Sequence, residues 1–182
     1  MKKRINAADY VVDSSHKFLI DANVWLYIAG PQANQNNFNT RNYSRLLRDL
    51  LSSKVEIFYT DLIVSEYINR VLRIYYGVYK DSNNDQSISF KEYRNTKDYI
   101  NSMTQVKIGL DLIASIAQPV ELDGWNVYLK GISSYMLNNP SDYNDIIISE
   151  ISKIRGLILI SNDGDMAMYD CKTLSFHRGL IN

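Results

Sequence analysis

KFLIDANVW, residues Lys17–Trp25, sets an apolar run directly against a carboxylate. Phe18, Leu19 and Ile20 lead straight into Asp21, and a polar Asn23 interrupts the run before Val24-Trp25-Leu26. Two readings of Asp21 stand open on the residues alone. Asp is a favoured cap, so Asp21 can cap a helix starting at Ala22. It can equally be one ligand of a charged site at the end of a buried strand.

Two further short runs resemble the first: VEIFY, Val55–Tyr59, and LILI, Leu157–Ile160. Unbroken Ile, Leu, Val and Phe without alternation suit strands covered on both faces of a parallel sheet. Between them the periodicity turns helical. Residues 40–53 carry Tyr43, Leu46, Leu47, Leu50 and Leu51 at helical spacing; residues 60–76 open on a Thr60 cap and repeat Val64, Ile68, Val71 and Tyr75. Residues 141–156 follow Pro140 and stop at Gly156, as helices prefer. Strands alternating with helices predict an α/β fold with right-handed crossovers. Two Asn-rich segments, PQANQNNFNT and KDSNNDQS, read as exposed loops, and residues 78–139 as a mostly helical insertion within a single domain spanning 1–182.

The chain's 182 residues are 46% hydrophobic and 22% charged, and 20 basic residues balance 20 acidic ones. Bulk charge therefore announces no nucleic-acid binder, and such binding must come from a local patch. The lone Cys171 suits a reducing compartment, the N-terminus lacks the apolar core of a secretory leader, and no run approaches the roughly 20 residues of a membrane span. A cytoplasmic protein without membrane contact is expected.

The acids fall at the ends of these strands. Asp21 closes the first, Glu66 lies in the helix after the second, Asp142 and Asp145 open the helix before the third, and Asp163 and Asp165 follow the third. In an open parallel sheet these segments converge outside the carboxyl ends of the strands. Carboxylates crowded there repel one another, a repulsion that Mg2+ or Mn2+ relieves. Each acid also has an ordinary structural reading. Glu66 sits four residues before Arg70 and opposite the apolar stripe, Asp142 suits a cap with Asp145 favouring the helix dipole, and Asp163-Gly164 is a common turn. The joint placement is more specific than any one acid.

Taken in order, these residues resemble the PIN-domain ribonucleases: FLIDANVW at the first motif, VSEYINRVL at the second, NDIIISEIS at the third and LILISNDGDM at the fourth. The resemblance covers Lys17–Tyr76 and 141–166, and departs from compact members in the long block between. It implies a three-layer fold, a central, mostly parallel sheet flanked by helices. It further implies Mg2+- or Mn2+-dependent endonucleolytic hydrolysis of RNA to 5′-phosphate and 3′-hydroxyl ends. Asp21, Glu66, Asp145 and Asp163 would hold metal, Asp165 would be auxiliary, Asp142 would compete with Asp145, and Asn23 and Ser161 would give hydrogen-bonding support. A toxin–antitoxin setting, with an antitoxin as partner, and a homodimer also follow from the family. The rival expectation is a PIN-like module that binds RNA or protein without turnover. A haloacid-dehalogenase-type phosphatase fits poorly, since Asn23 stands where that chemistry needs a second acid. For phosphate contacts the sequence offers Arg41/Arg45/Arg48, Arg70/Arg73 and Lys91/Arg94/Lys97, each of which also suits a solvated helix face. The fourteen tyrosines are candidates for stacking on bases, with Tyr75 and Tyr76 assigned to packing.

Overall fold

The computed structural model describes residues 3–120, 132, 136 and 142–181. Apolar runs become strands where expected: β2 is Lys17–Ile20, β3 Glu56–Tyr59 and β5 Ile158–Ile160. Phe18, Leu19, Ile20, Ile158, Leu159 and Ile160 are all buried, as strands covered on both faces must be. Three short strands complete the sheet: β1 (Arg4–Asn6), β4 (Gln118–Pro119) and β6 (Thr173–Ser175). The order is β1-β6-β5-β2-β3-β4, and every pairing is parallel. At the centre Leu19 faces Leu159 and Phe58 on its two sides.

The helices start where side chains satisfy their free N–H groups. Asp21 caps α1 (Ala22–Ala29). Asn37 caps α2 (Phe38–Ser52), which therefore begins inside the segment read as an Asn-rich loop. Thr60 caps α3, as predicted, but α3 runs over Asp61–Ser82 and so takes in the start of the second Asn-rich segment. A capping box of Ser89 and Glu92 opens the short α4 (Phe90–Tyr93), and Thr96 caps α5 (Lys97–Ile116). Asp142 caps α6 (Tyr143–Ile154), beyond which Gly156, with φ of +64°, reverses the chain into β5. A 3-10 turn, Gly164–Met168, follows β5, and α7 (Arg178–Ile181) ends the described chain.

The described part of 78–139 is mostly helical until β4, where the chain returns to pair with β3. The remainder of that block, apart from Ile132 and Met136, lies outside the described residues. Gly109 lets α5 approach α3: a Cβ there would overlap the hydroxyl of Tyr67, which donates to the Ala29 carbonyl at 2.9 Å. Trp25 is fully buried and belongs to the core.

Candidate functional site

β2 sits between β3 and β5, so the chain leaves it toward one side and returns on the other. Such a reversal opens a crevice at the carboxyl ends of the strands. Asp21 occupies that position. Its backbone N–H donates to the Ile160 carbonyl at 3.0 Å, extending the ladder one residue past β2. The two readings of Asp21 prove compatible. Oδ1 accepts the Ala22 N–H at 2.6 Å, which starts α1, while Oδ2 accepts the Ser161 hydroxyl at 2.7 Å and the Asn23 amide at 2.6 Å.

Asn23 and Ser161 do more than hold Asp21. Asn23 Nδ2 also donates to Ser161 Oγ at 3.2 Å, and its Oδ1 accepts the Asn162 N–H at 2.9 Å. Ser161 Oγ in turn accepts the Asp163 N–H at 3.0 Å. The loop after β5 is thereby tied to the start of α1, and Asp163 is placed by the groups that fix Asp21. Tyr43 of α2 adds a third tie, its hydroxyl lying 3.2 Å from the Ser161 carbonyl and 3.0 Å from Asn162 Oδ1. Burial pushes the Tyr43 phenol up to about 12.

The other acids gather around this point electrostatically. Burial raises the Asp21 carboxyl above its ordinary range, the Ser161 and Ala22 hydrogen bonds oppose that rise, and Asp163 adds to it. Glu66 makes the expected pair with Arg70 at 3.3 Å, but its side chain is only 27% exposed against 49% for the arginine. Its carboxyl is raised by burial and by Asp21, with Arg70 pulling the other way. Asp145 is pushed up to about 7, by burial first and then by Asp21, Asp142, Asp163 and Glu66. One half-buried carboxyl thus feels four others, one at the cap of its own helix and three brought in from separate segments.

Asp142 and Asp145 take different places. Asp142 is exposed at the cap of α6 and accepts the Asn144 N–H at 2.7 Å; Asp145, in the first turn, is turned inward. Asp165 is exposed, and its backbone N–H donates to Asp163 Oδ1 at 2.9 Å. Among the described residues no three Asp, Glu, His or Cys side chains stand close enough together to hold one ion as they are.

Beside the acids lies an open cleft of about 700 Å3, lined among others by Asn23, Tyr27, Arg70, Arg73, Asp163 and His177. The sequence reading named the two arginines as a cationic cluster but missed Tyr27 and His177 as cleft residues. For Tyr27 a signal was present: it lies one turn after Asn23 and so shares its helix face. His177 reaches the cleft because the chain returns through β6, which no sequence pattern marked. The other basic groups lie elsewhere, with Arg41, Arg45 and Arg48 bounding a separate surface hollow on α2.

No protein-family model and no curated protein matches the chain. The fold, by contrast, has a solved counterpart. A chain in the crystal structure of VapBC2 from Rickettsia felis, bound to a DNA fragment from their promoter, superposes with a TM-score of 0.52 over 87% of this chain and 96% of that one. The two are 15% identical, so the likeness is one of fold. The protein has a PIN-like α/β fold: a six-stranded parallel sheet flanked by helices. Among the described residues no helix is long and apolar enough to cross a membrane.

Proposed function

We propose that the protein is a metal-dependent endoribonuclease that hydrolyses RNA to 5′-phosphate and 3′-hydroxyl ends. The observation that carries this reading is the Asp145 carboxyl, pushed up to about 7 by burial and by four other acids beside a cleft that also presents two arginines. A site with so much unrelieved negative charge is suited to a hard dication, and its donors, all carboxylate oxygens, are those that Mg2+ or Mn2+ takes. Asp21, Glu66, Asp145 and Asp163 would hold it, with Asp142 and Asp165 at the margin. Bound there, such a cation supplies Lewis-acid polarisation of the phosphoryl group and activation of water.

The chain's own residues do the positioning. Asp21 is held by three hydrogen bonds at the end of the central strand, which makes a rigid mount for its one remaining acceptor position. Asn23 and Ser161 lock the loop that carries Asp163 to the same mount. Arg70 pairs with Glu66 and also lines the cleft, where it can meet a backbone phosphate.

The VapBC2 likeness supports a toxin role, with an antitoxin that covers the cleft, and a homodimer fits the same setting. The test uses purified protein and a labelled single-stranded RNA, with Mn2+ or Mg2+ and with EDTA. Cleavage that stops on chelation and is absent from Asp21→Asn supports the reading. RNA cleaved equally well in EDTA, or by Asp21→Asn, overturns it. Asn at position 21 keeps the shape and the cap, so the variant is expected to fold.

A further inference from the structure

We infer that the cleft beside the carboxylates is a subsite for one unpaired nucleotide of the RNA, its base stacked on Tyr27 and its phosphate held by Arg73; this rests on the nuclease reading and extends it to the substrate's form. Three features of the cleft converge on a nucleotide.

The first is an immobilised aromatic ring. Tyr27 lies parallel to Tyr43, with 11° between the rings and 6.1 Å between centroids, and itself lines the cleft. Tyr43 is in turn buried and tied to Ser161 and Asn162 through its hydroxyl. Phe176 packs edge-on to Tyr43, with 5.1 Å between centroids. Any base has a π face, so a fixed ring at a cleft wall binds bases of every sequence, provided they are unpaired.

The second is a cation with no carboxylate to answer it. Arg70 is engaged by Glu66, but among the described residues Arg73 has no acidic partner. Its guanidinium lies over the Phe90 ring, 4.5 Å from the centroid, which steadies the group while leaving its N–H donors for an anion. Arg70 and Arg73 are three residues apart on α3, so both face the cleft from one helix surface.

The third is a set of hydrogen-bonding side chains around the same space: Gln32, Asn69, Asn162 and His177. Amide and imidazole groups suit base edges and ribose hydroxyls rather than a greasy or purely anionic guest. The volume, about 700 Å3, is open enough to admit a strand passing through rather than a ligand sealed inside. The acids lie at one border of this cleft through Asp163, which places the nucleotide next to the bond to be cut. Stacking excludes a duplex, so the substrate strand is single at this position.

Binding is measured without turnover, by fluorescence anisotropy of a fluorescein-labelled single-stranded RNA of mixed sequence in EDTA, with circular dichroism to confirm each variant's fold. Tyr27→Ala is expected to weaken binding about tenfold and Tyr27→Phe to leave it unchanged, because the ring does the work. Arg73→Ala is expected to weaken binding and to lower the slope of log affinity against log salt by about 0.7, one phosphate contact. A blunt RNA duplex should bind more weakly than the single strand. Wild-type affinity in both Tyr27→Ala and Arg73→Ala, loss in Tyr27→Phe equal to that in Tyr27→Ala, or tighter binding of the duplex overturns the subsite. RNA binding that depends on Tyr27 and Arg73 in a protein that cleaves nothing with Mn2+ overturns the nuclease and leaves the subsite standing. Cleavage by a protein whose RNA affinity ignores both residues does the reverse.

Discussion

Replacing Asp145 with Asn should stabilise the metal-free protein at pH 8 and leave it nearly unchanged at pH 4. The Asp145 carboxyl titrates at about 7 in the folded chain against 3.8 in the unfolded one. A group whose folded value is raised contributes stability that is complete below pH 3.8 and is lost as pH climbs through 7. A gap of about three pH units between the two titrations corresponds to about 4 kcal/mol at full strength, at about 1.36 kcal/mol for each. Asp145 is only half-buried, so solvent screening brings the expected penalty down to about 1–2 kcal/mol. Asn carries no charge and escapes it, giving back a few tenths of a kcal/mol through the lost interaction with the α6 dipole. For a chain of this length a gain of about 1–2 kcal/mol raises Tm by about 2–8 °C. The assay is thermal unfolding in EDTA at pH 4 and pH 8, repeated with millimolar Mn2+. Wild type should gain from Mn2+ at pH 8 far more than Asp145→Asn does, since stabilisation by a ligand grows with the logarithm of its concentration over Kd and the variant binds more weakly. An Asn variant no more stable than wild type at pH 8, or one equally stabilised at both pH values, would refute the idea that Asp145 stands in a field of neighbouring carboxylates.

Ser161→Ala removes the hydroxyl that donates to Asp21 and accepts from the Asp163 N–H, both in a buried setting. It should cost about 1–3 kcal/mol in urea unfolding and lower RNA cleavage about 10- to 100-fold by loosening the mount of both acids. Gly109→Ala drives a methyl into the Tyr67 hydroxyl, and the neighbouring helices must move to admit it. A loss of about 1–3 kcal/mol in chemical denaturation is expected, with RNA affinity per folded molecule unchanged.

Much of the frame was legible along the chain because its signals are local. Phe18–Ile20 and Ile158–Ile160 had to be buried on both faces, and runs of that kind read directly as central strands. Thr60 and Gly156 mark helix ends through the chemistry of a single residue. The Asn-rich segments misled at their margins. Asn37 is a cap and not a loop residue, and α3 continues to Ser82, since polar residues on an exposed helix face carry no stop signal of their own. Strands β1, β4 and β6 left no trace because two or three mixed residues have no periodicity; Thr173 and Ser175 are buried polar residues whose hydroxyls have hydrogen-bond partners.

Sequence alone, then, specified an α/β chain with acids at the strand ends, because each of those features is written in a few adjacent residues. It left Asp142 competing with Asp145, and Glu66 open between a site acid and an ordinary partner of Arg70. Tertiary structure turned Asp145 inward and Asp142 outward, set Glu66 among other acids as well as beside Arg70, and brought Tyr27, Arg73 and His177 to one cleft. Burial and mutual repulsion depend on distances between segments far apart in the chain, and the parallel crossovers of the folded sheet are what set those distances.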